Sequence, residues 1–124
     1  MNVVDSCGWL EYLADGSNAA FFAPAIHDLP NLIVPSLCLY EVFKTMKLQR
    51  GQQAALQAIG LLYTGQMLAL NDELALQAAQ LSLQYKLPMA DSVILASAYT
   101  QNATLWTQDE HFKDLPGVKY IEKK

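Results

Sequence analysis

An aspartate stands in the first turn of a predicted helix, where packing alone does not explain its charge. Asp91 follows Pro88 closely, and on a helical wheel it shares a face with Ile94, Leu95 and Ala98, a face that normally points into a core. A bare carboxylate is costly to bury there. The positive end of the helix offsets part of that cost, and a bound cation would offset more. The simpler alternative is that Asp91 only caps its helix.

Three further acids could form a site with Asp91. Asp5 ends a short β-branched run, and Asp109 follows Thr107 at the end of another predicted strand. Because ligands of parallel sheets bind outside the carboxyl ends of the strands, we expect these acids to converge at one edge. Taken singly, Asp5 and Asp109 could equally be helix caps. Glu41 lies opposite an apolar arc of its helix, so periodicity predicts a solvent-facing side chain, which a glutamate lining a groove would also be.

Length and composition limit what such acids can belong to. The 124 residues suit one domain, spanning residues 1–124, with a core that needs no disulfide or metal staple. Hydrophobic residues make up 52% and charged residues 16%, which is too apolar for a disordered chain. No apolar run approaches the ~18 residues of a membrane span. The N-terminus lacks the pattern of a signal peptide, so we expect a soluble, cytoplasmic protein.

Charge and cysteine content narrow the functional classes further. The net charge of −4 argues against binding nucleic acid by broad phosphate neutralisation, so any polyanion must be contacted locally. The one basic cluster, Lys44, Lys47 and Arg50, is explained either by a solvated helix C-terminus or by a track for phosphates. Cys7 and Cys38 lack metal-binding spacing, and we expect them to be reduced, to pack in apolar surroundings and to perform no chemistry.

Strands and helices alternate along the chain. Strands are predicted at Asn2 to Asp5, Leu32 to Val34, Met67 to Leu70, Thr104 to Thr107 and Val118 to Ile121. Helices are predicted at residues 6 to about 15, 18–28 with an interruption at Pro24, 37–50, 52–63, 72–85 and 88–98, with a short helical turn at 109–112. The alternation indicates an α/β fold with right-handed crossovers, a parallel sheet of about five strands and helices on both faces.

Several segments together resemble a known family. They are Val3-Val4-Asp5-Ser6, Val34-Pro35-Ser36 leading to Tyr40-Glu41-Val42, the stretch from Leu87 to Ala98, and Leu105-Trp106-Thr107-Gln108-Asp109-Glu110-His111-Phe112. Across essentially the whole chain the sequence resembles PIN-domain nucleases, and within them the toxin subunit of VapBC-type toxin–antitoxin pairs. The order of the acids and the last two segments are the specific part. Two departures are mild: Cys7 stands where a small hydroxyl residue is common, and Arg50 is the only arginine.

The resemblance implies a three-layer α/β/α fold with sheet order 3-2-1-4-5. It implies an acidic cluster of Asp5, Glu41, Asp91 and Asp109, with Ser6 and Thr107 as hydroxyl supports. The activity implied is metal-dependent cleavage of RNA, and the implied partner is an antitoxin protein.

The chemistry agrees with the residue types. Phosphodiester hydrolysis needs an activated water and a stabilised leaving oxygen, which Mg²⁺ or Mn²⁺ can provide while binding hard oxygen ligands. Asp5 and Asp91 are the expected direct or water-mediated ligands, and Asp109 and Glu41 complete the shell or orient water. His111 is a general-base candidate on paper, but in a short helical turn beside an aromatic residue we interpret it as structural and leave it outside the site.

Two other functions compete with the nuclease hypothesis. A receiver-type phospho-acceptor domain is also a small doubly wound protein, but it requires adjacent acids after the first strand and a lysine ending a late strand, whereas Ser6 follows Asp5 and a late strand ends in Thr107. A catalytically silent PIN-like binding module would need none of the four acids.

Apolar composition also predicts contacts with other chains. The residues singled out are Trp9, Phe21, Phe22, Leu37 and Leu48, which we expect to exceed the needs of one small core. Together with the resemblance, this surplus predicts a homodimer that also binds a helix of its antitoxin.

Overall fold

A parallel sheet forms the centre of the structure, a computed structural model that describes all residues, 1–124. Its five strands are β1 (Asn2–Val4), β2 (Leu32–Pro35), β3 (Gln66–Leu68), β4 (Thr104–Thr107) and β5 (Val118–Tyr120). The spatial order is β3-β2-β1-β4-β5, and every pairing is parallel. The predicted fold, a three-layer α/β/α arrangement with order 3-2-1-4-5, is confirmed. This order differs from the 2-1-3-4-5 order of receiver domains, so that alternative is wrong.

Six α-helices surround the sheet. They are α1 (Ser6–Leu13), α2 (Ala19–His27), α3 (Ser36–Arg50), α4 (Gln52–Leu62), α5 (Asp72–Tyr85) and α6 (Met89–Thr100), with short 3₁₀ turns at Leu29–Asn31 and Glu110–Phe112. Helices α1 and α2 pack against each other, and α2 contacts β1, β2 and β4. Helix α6 contacts β1 and β4 and is covered by α5, while α3 and α4 form a hairpin. None of these helices is both long and apolar enough to cross a membrane.

The strands are only three or four residues long, and their apolar side chains are enclosed. Val3, Val4, Leu32, Ile33 and Leu105 are all buried, as expected for strands covered on both faces. Their β-branched and leucine side chains suit a pleated, enclosed surface. The sheet is therefore buried, and it supports the residues that follow the carboxyl ends of its strands.

Most predicted boundaries agree with the structure to within two residues. The largest difference concerns Pro24, which was expected to interrupt a helix and instead lies inside a continuous α2. Proline removes one backbone hydrogen bond from a helix. Pro24 is exposed, so the carbonyl left without a partner on that side can bind water.

Helix α6 is more deeply buried than its wheel suggested. All seven residues from Ser92 to Ala98 are buried, so the helix has no solvent-facing stripe in its middle. The two serines in this run satisfy their hydroxyls locally, because Ser92 donates to the Met89 carbonyl and Ser97 to the Val93 carbonyl, both at 2.7 Å. The one charged side chain of this helix is Asp91, in its first turn.

The predicted surplus of apolar surface is partly wrong. Trp9 and Phe22 are fully buried in the central core, because α1 and α2 need bulky side chains to fill the space above short strands. Phe21 and Leu37 are partly buried against the same core. Of the five predicted residues only Leu48 is largely exposed, at 85%.

A glycine permits the close packing of α1. A Cβ atom on Gly8 would lie 2.6 Å from the Phe22 ring and 2.8 Å from a methyl group of Val4, and both of those side chains are fully buried. We therefore expect Gly8→Ala to lower the free energy of unfolding by about 1–3 kcal/mol through overpacking. Urea denaturation monitored by circular dichroism measures this change.

Gly60 provides the matched control in another helix. A Cβ atom there meets nothing within 4 Å, so Gly60→Ala should raise stability by about 0.5–1 kcal/mol through helix propensity. Equal stabilisation of both variants would contradict the packing described for Gly8.

Candidate active site

The strand register brings distant acids to one edge of the sheet. Val4 pairs with Trp106, and the Asp5 backbone N–H donates to the Trp106 carbonyl at 3.0 Å. Asp5 thus leaves β1 level with Thr107 at the end of β4. Asp109 follows two residues later, and Asp91 lies in the first turn of α6, which packs on the same two strands.

Asp5 is the buried anchor of this edge, with only 4% of its surface exposed. Its Oδ1 accepts a hydrogen bond from the Ser6 N–H at 2.8 Å, so it also caps α1. Its Oδ2 accepts hydrogen bonds from Thr107 Oγ1 at 2.8 Å and from Cys7 Sγ at 3.2 Å. Asp5 therefore caps α1 with one carboxylate oxygen, while its other oxygen lies among side chains of the sheet edge.

Burial dominates the electrostatics of Asp5. Desolvation raises the pKa of this carboxyl to about 6, and the hydrogen bonds from Thr107 and Cys7 oppose the rise. The charges of Asp91 and Asp109 raise the pKa further. These three carboxyl groups are therefore close enough to repel one another, and no lysine or arginine forms an ion pair with any of them.

The two predicted hydroxyl supports connect different parts of the cluster. Thr107 Oγ1 donates to Asp5 and accepts a hydrogen bond from the Asp109 backbone N–H at 2.9 Å. Ser6 Oγ donates to Glu41 Oε1 at 2.7 Å. Glu41 is thus joined to the start of α1 through Ser6 rather than through a contact with another carboxylate.

His111 lies inside the cluster from which sequence analysis had left it out. Its Nδ1 is 2.8 Å from Asp91 Oδ2 and 3.2 Å from Asp109 Oδ1. The hydrogen bond with Asp91 and the charge of Asp109 raise the pKa of this imidazole above its usual value. The ring is 54% exposed, so it is not a packing residue of the 3₁₀ turn, a role that the buried Phe112 fills.

A local signal could have identified His111. Asp109 caps the 3₁₀ turn by accepting a hydrogen bond from the His111 N–H at 3.0 Å. Capping brings the residue two positions after the cap next to the capping carboxylate. The spacing Asp-x-His after a strand end therefore predicts proximity of the two side chains.

Asp91 is half-enclosed between these groups. Burial raises the pKa of its carboxyl, and the charge of Asp109 adds to the rise, while the hydrogen bond with His111 opposes it. Only 15% of its side chain is exposed. The expected converging set of Asp5, Asp91 and Asp109 is present.

The two cysteines occupy different surroundings. Cys38 is fully buried in the core, as expected for apolar packing. The expectation of apolar packing is wrong for Cys7, because its thiol donates to Asp5 and lies 3.5 Å from Thr107 Oγ1. Burial and the Asp5 charge raise the pKa of Cys7 to about 12, so its thiol stays protonated and serves as a hydrogen-bond donor.

An open pocket of about 510 Å³ adjoins the cluster. Its lining is formed by Cys7, Gln108, Asp109, Glu110, Tyr120, Glu122 and Lys123. The lysines at the basic end of α3 do not line this pocket. Lys44 stands over the Tyr40 ring and Lys47 over the Phe43 ring. Both interpretations of that basic cluster stay predictions.

The donor set of the cluster suits a hard divalent cation. Asp91 and Asp109 lie close enough to Asp5 to raise the pKa of its carboxyl, no lysine or arginine pairs with these three groups, and a 2+ ion would relieve the repulsion. Asp91, Asp109 and His111 each offer a ligand atom within 4.8 Å of the others.

The raised pKa of Asp5 predicts a pH-dependent stability. Between pH values near 4 and 6 the Asp5 carboxyl of the folded protein holds a proton that the unfolded chain has lost, so the contribution of Asp5 to metal-free stability should fall by about 3 kcal/mol as pH rises through this range. Asp5→Asn lacks this loss. We expect the variant to be more stable than the parent at pH 7, by about 1–3 kcal/mol after the altered hydrogen bonds are allowed for.

Urea denaturation in a chelator at pH 4, 5, 6 and 7 measures the difference between variant and parent. The advantage of the variant should fall by about 3 kcal/mol between pH 7 and pH 4. Asp15→Asn, at an exposed position at the opposite end of α1, is the control and should show no such trend. A difference for Asp5→Asn that is the same at every pH would contradict the assigned burial.

Comparison with known proteins agrees with this architecture. A family model for the PIN domain matches residues 3–118. A toxin–antitoxin complex from Klebsiella pneumoniae superimposes with a TM-score of 0.78 at 24% identity, covering 96% of each chain. Mycobacterium tuberculosis VapC20, described as a sarcin-ricin loop cleaving toxin, superimposes with a TM-score of 0.79 at 16% identity, covering 95% of this chain and 97% of that one.

A third similar structure is FitAcB from Neisseria gonorrhoeae. Its TM-score is 0.73 at 17% identity, covering 98% of this chain and 97% of that one. No curated protein matches the sequence. At these identities the structural similarities show the fold, whereas the family model covers nearly the whole sequence. The chain therefore belongs to the PIN domain family.

Proposed function

We propose that this protein is a metal-dependent endoribonuclease that acts as the toxin of a toxin–antitoxin pair. The observation that carries the proposal is the convergence of Asp5, Asp91 and Asp109 without a lysine or arginine to neutralise them. Glu41, joined through Ser6, completes the four proposed catalytic acids. Crowded carboxylates whose one basic neighbour is the exposed His111 ring disfavour the fold, so their presence supports a role in binding a cation.

The comparisons support the substrate and the biological setting. The chain is similar in fold to proteins described as a toxin–antitoxin complex and as a toxin that cleaves the sarcin-ricin loop, and the latter supports RNA as the substrate class. Membership of the PIN family supports hydrolysis of phosphodiester bonds.

Mg²⁺, or Mn²⁺, is the cofactor proposed for the site. Asp5, Asp91 and Asp109 would hold the ion, because hard divalent cations prefer carboxylate oxygens. When bound, the ion supplies charge neutralisation for the phosphate and lowers the pKa of water. The carboxylates alone would repel an RNA backbone.

The protein groups have separate tasks in this proposal. Thr107 and Cys7 each donate a hydrogen bond to Asp5 Oδ2, which keeps that oxygen in one position and leaves the carboxylate ready to bind. Asp109 is tied to Thr107 through its backbone N–H, so the Thr107 hydroxyl connects the Asp5 carboxylate with the backbone of Asp109. Glu41 accepts from Ser6 with one oxygen and can orient water with the other.

A catalytically silent binding module is the remaining alternative. A module without catalysis would gain stability by losing charge at Asp5, where burial disfavours the ionised form. Retention of all four acids therefore favours an active nuclease. Measurement of cleavage separates the two hypotheses.

We expect Asp5→Asn and Asp91→Asn each to lower RNA cleavage by at least about 10²-fold. Each substitution nearly preserves the shape of the side chain but removes a charge that would hold the ion. Mass spectrometric mapping of RNA fragments after incubation with Mg²⁺ or Mn²⁺ measures the effect. Asp15→Asn is the matched control and should cleave at the parental rate. Cleavage by either site variant at the parental rate would show that its assigned role is wrong.

The proposed antitoxin partner is supported by charge and by exposed apolar side chains. An arginine or lysine of a partner could pair with the unneutralised carboxylates in place of the metal. The α3–α4 hairpin exposes Tyr40 at 60%, Leu48 at 85%, Leu56 at 55% and Tyr63 at 59%, which suits the apolar face of a partner helix. A homodimer is proposed as well, because α5 and the start of α6 expose Leu83 and Met89.

Expression in cells tests these partner proposals. Alone, the protein should arrest growth, and a small protein encoded next to it, with a basic C-terminal segment, should restore growth. The purified chain should have a mass near twice 13.7 kDa by light scattering. A harmless monomer that recovers no small partner from its native cell would contradict them.

A further inference from the structure

The His111 ring lies beside the carboxylates of both Asp91 and Asp109. Its Nδ1 lies 2.8 Å from Asp91 Oδ2 and 3.2 Å from Asp109 Oδ1. Neighbouring ligands of an octahedral ion with bonds of about 2.1 Å are themselves about 3.0 Å apart. The two separations lie on either side of that value, and all three ligand atoms lie within 4.8 Å of one another, so they could bind one ion after small shifts.

The backbone positions this imidazole in advance. Asp109 caps the 3₁₀ turn of Glu110–Phe112 and accepts the His111 N–H at 3.0 Å, which holds the start of the side chain beside the carboxylate. Phe112, fully buried, anchors the same turn in the core. The other ring nitrogen, Nε2, has no hydrogen-bond partner in the protein, so no competing contact draws the ring away from the acids.

We propose that His111 supplies a nitrogen ligand to the ion held by Asp91 and Asp109, and that the centre therefore prefers Mn²⁺ or a similar first-row transition ion to Mg²⁺. This inference rests on the proposed function, since it concerns the same metal centre. It extends that proposal by assigning a ligand and an ion preference to a residue that sequence analysis excluded.

The preference follows from ligand chemistry. Imidazole nitrogen binds first-row transition ions well, whereas Mg²⁺ favours oxygen ligands and gives up its water reluctantly. A site with carboxylates alone discriminates weakly between Mg²⁺ and Mn²⁺. One added nitrogen strengthens binding of Mn²⁺ selectively.

A different role for His111 is compatible with the same distances. The imidazole could bridge the two carboxylates by hydrogen bonds and leave when the ion binds. In that case it would compete with every divalent ion and contribute no bond to any of them, so removing it would strengthen both Mg²⁺ and Mn²⁺ binding.

Pulsed electron paramagnetic resonance of Mn²⁺ bound to the full chain separates these roles without reference to activity. The parent should show coupling of the Mn²⁺ electron spin to a nitrogen nucleus. His111→Ala and His111→Gln, which lack a ring nitrogen, should lose that coupling. His27→Ala is the matched control, because His27 is the chain's other histidine and its ring contacts Tyr12 on the α1–α2 pair.

Calorimetric titration with each ion, in the absence of RNA, gives the second readout. His111→Ala should weaken Mn²⁺ binding by roughly tenfold or more and change Mg²⁺ binding much less. Circular dichroism checks that each variant is folded, and His111→Gln preserves the size of the side chain if the alanine variant is not. Persistent nitrogen coupling in folded His111 variants, or an equal change in affinity for both ions, would overturn the inference.

The outcomes also distinguish this inference from the proposed function. Binding of Mn²⁺ without nitrogen coupling, abolished by Asp91→Asn, would remove His111 from the ligands and leave the carboxylate centre intact. Failure of the parent to bind either ion would overturn both.

Discussion

The burial of one carboxyl group, that of Asp5, is the constraint on which the edge of the sheet depends. The group ends β1, caps α1 and accepts hydrogen bonds from Thr107 and Cys7, so it connects the first strand, the first helix and the fourth strand. Burial and two neighbouring aspartates disfavour its charge. A site that neither lysine nor arginine neutralises has to be supported by the rest of the fold, and the ion proposed for it would remove most of that cost.

That support comes from apolar packing beneath the edge. The strands contribute only three or four residues each, and their side chains are buried by α2, α6 and the bulky Trp9 and Phe22. Such a core resists displacement because its side chains are closely packed. The residues that hydrogen-bond to Asp5 are therefore supported by a closely packed core. Position 8 accommodates only glycine because the Phe22 ring occupies the space that a Cβ atom would need.

Most of the large apolar residues that remain exposed lie on two separate surfaces. One is the α3–α4 hairpin, whose first helix also carries Glu41, so a partner bound there would approach the acidic edge. The other is formed by α5 and the start of α6, where Met89 stands two residues before Asp91. Both surfaces are thus connected by a helix to an acid of the proposed site, and binding of another chain at either could change access to the carboxylates.

The alternation of apolar runs with helical periodicity was sufficient to predict the parallel sheet and nearly all element boundaries, because these patterns depend on local spacing and burial. The convergence of Asp5, Asp91 and Asp109 also followed from sequence, since parallel strands end at one edge. Strand order required the family resemblance, because order depends on which strands meet in space. Pro24 was expected to interrupt a helix because proline has a low helix propensity. That propensity does not show that Pro24 faces solvent, where water can bind the carbonyl left without a partner.

Only the tertiary structure decided the contacts that give these residues their properties. Trp9 and Phe22 looked like surplus surface, but packing against short strands required their volume. Cys7 looked apolar, and its thiol becomes a hydrogen-bond donor because it lies beside the Asp5 carboxylate, which the fold buries against Thr107 of β4. His111 looked structural next to Phe112, and its ring meets Asp91 only because the fold places the 3₁₀ turn beside the first turn of α6. The residue types and their order were thus determined by sequence, whereas hydrogen bonds, pKa values and ligand geometry depend on distances between segments far apart in the chain.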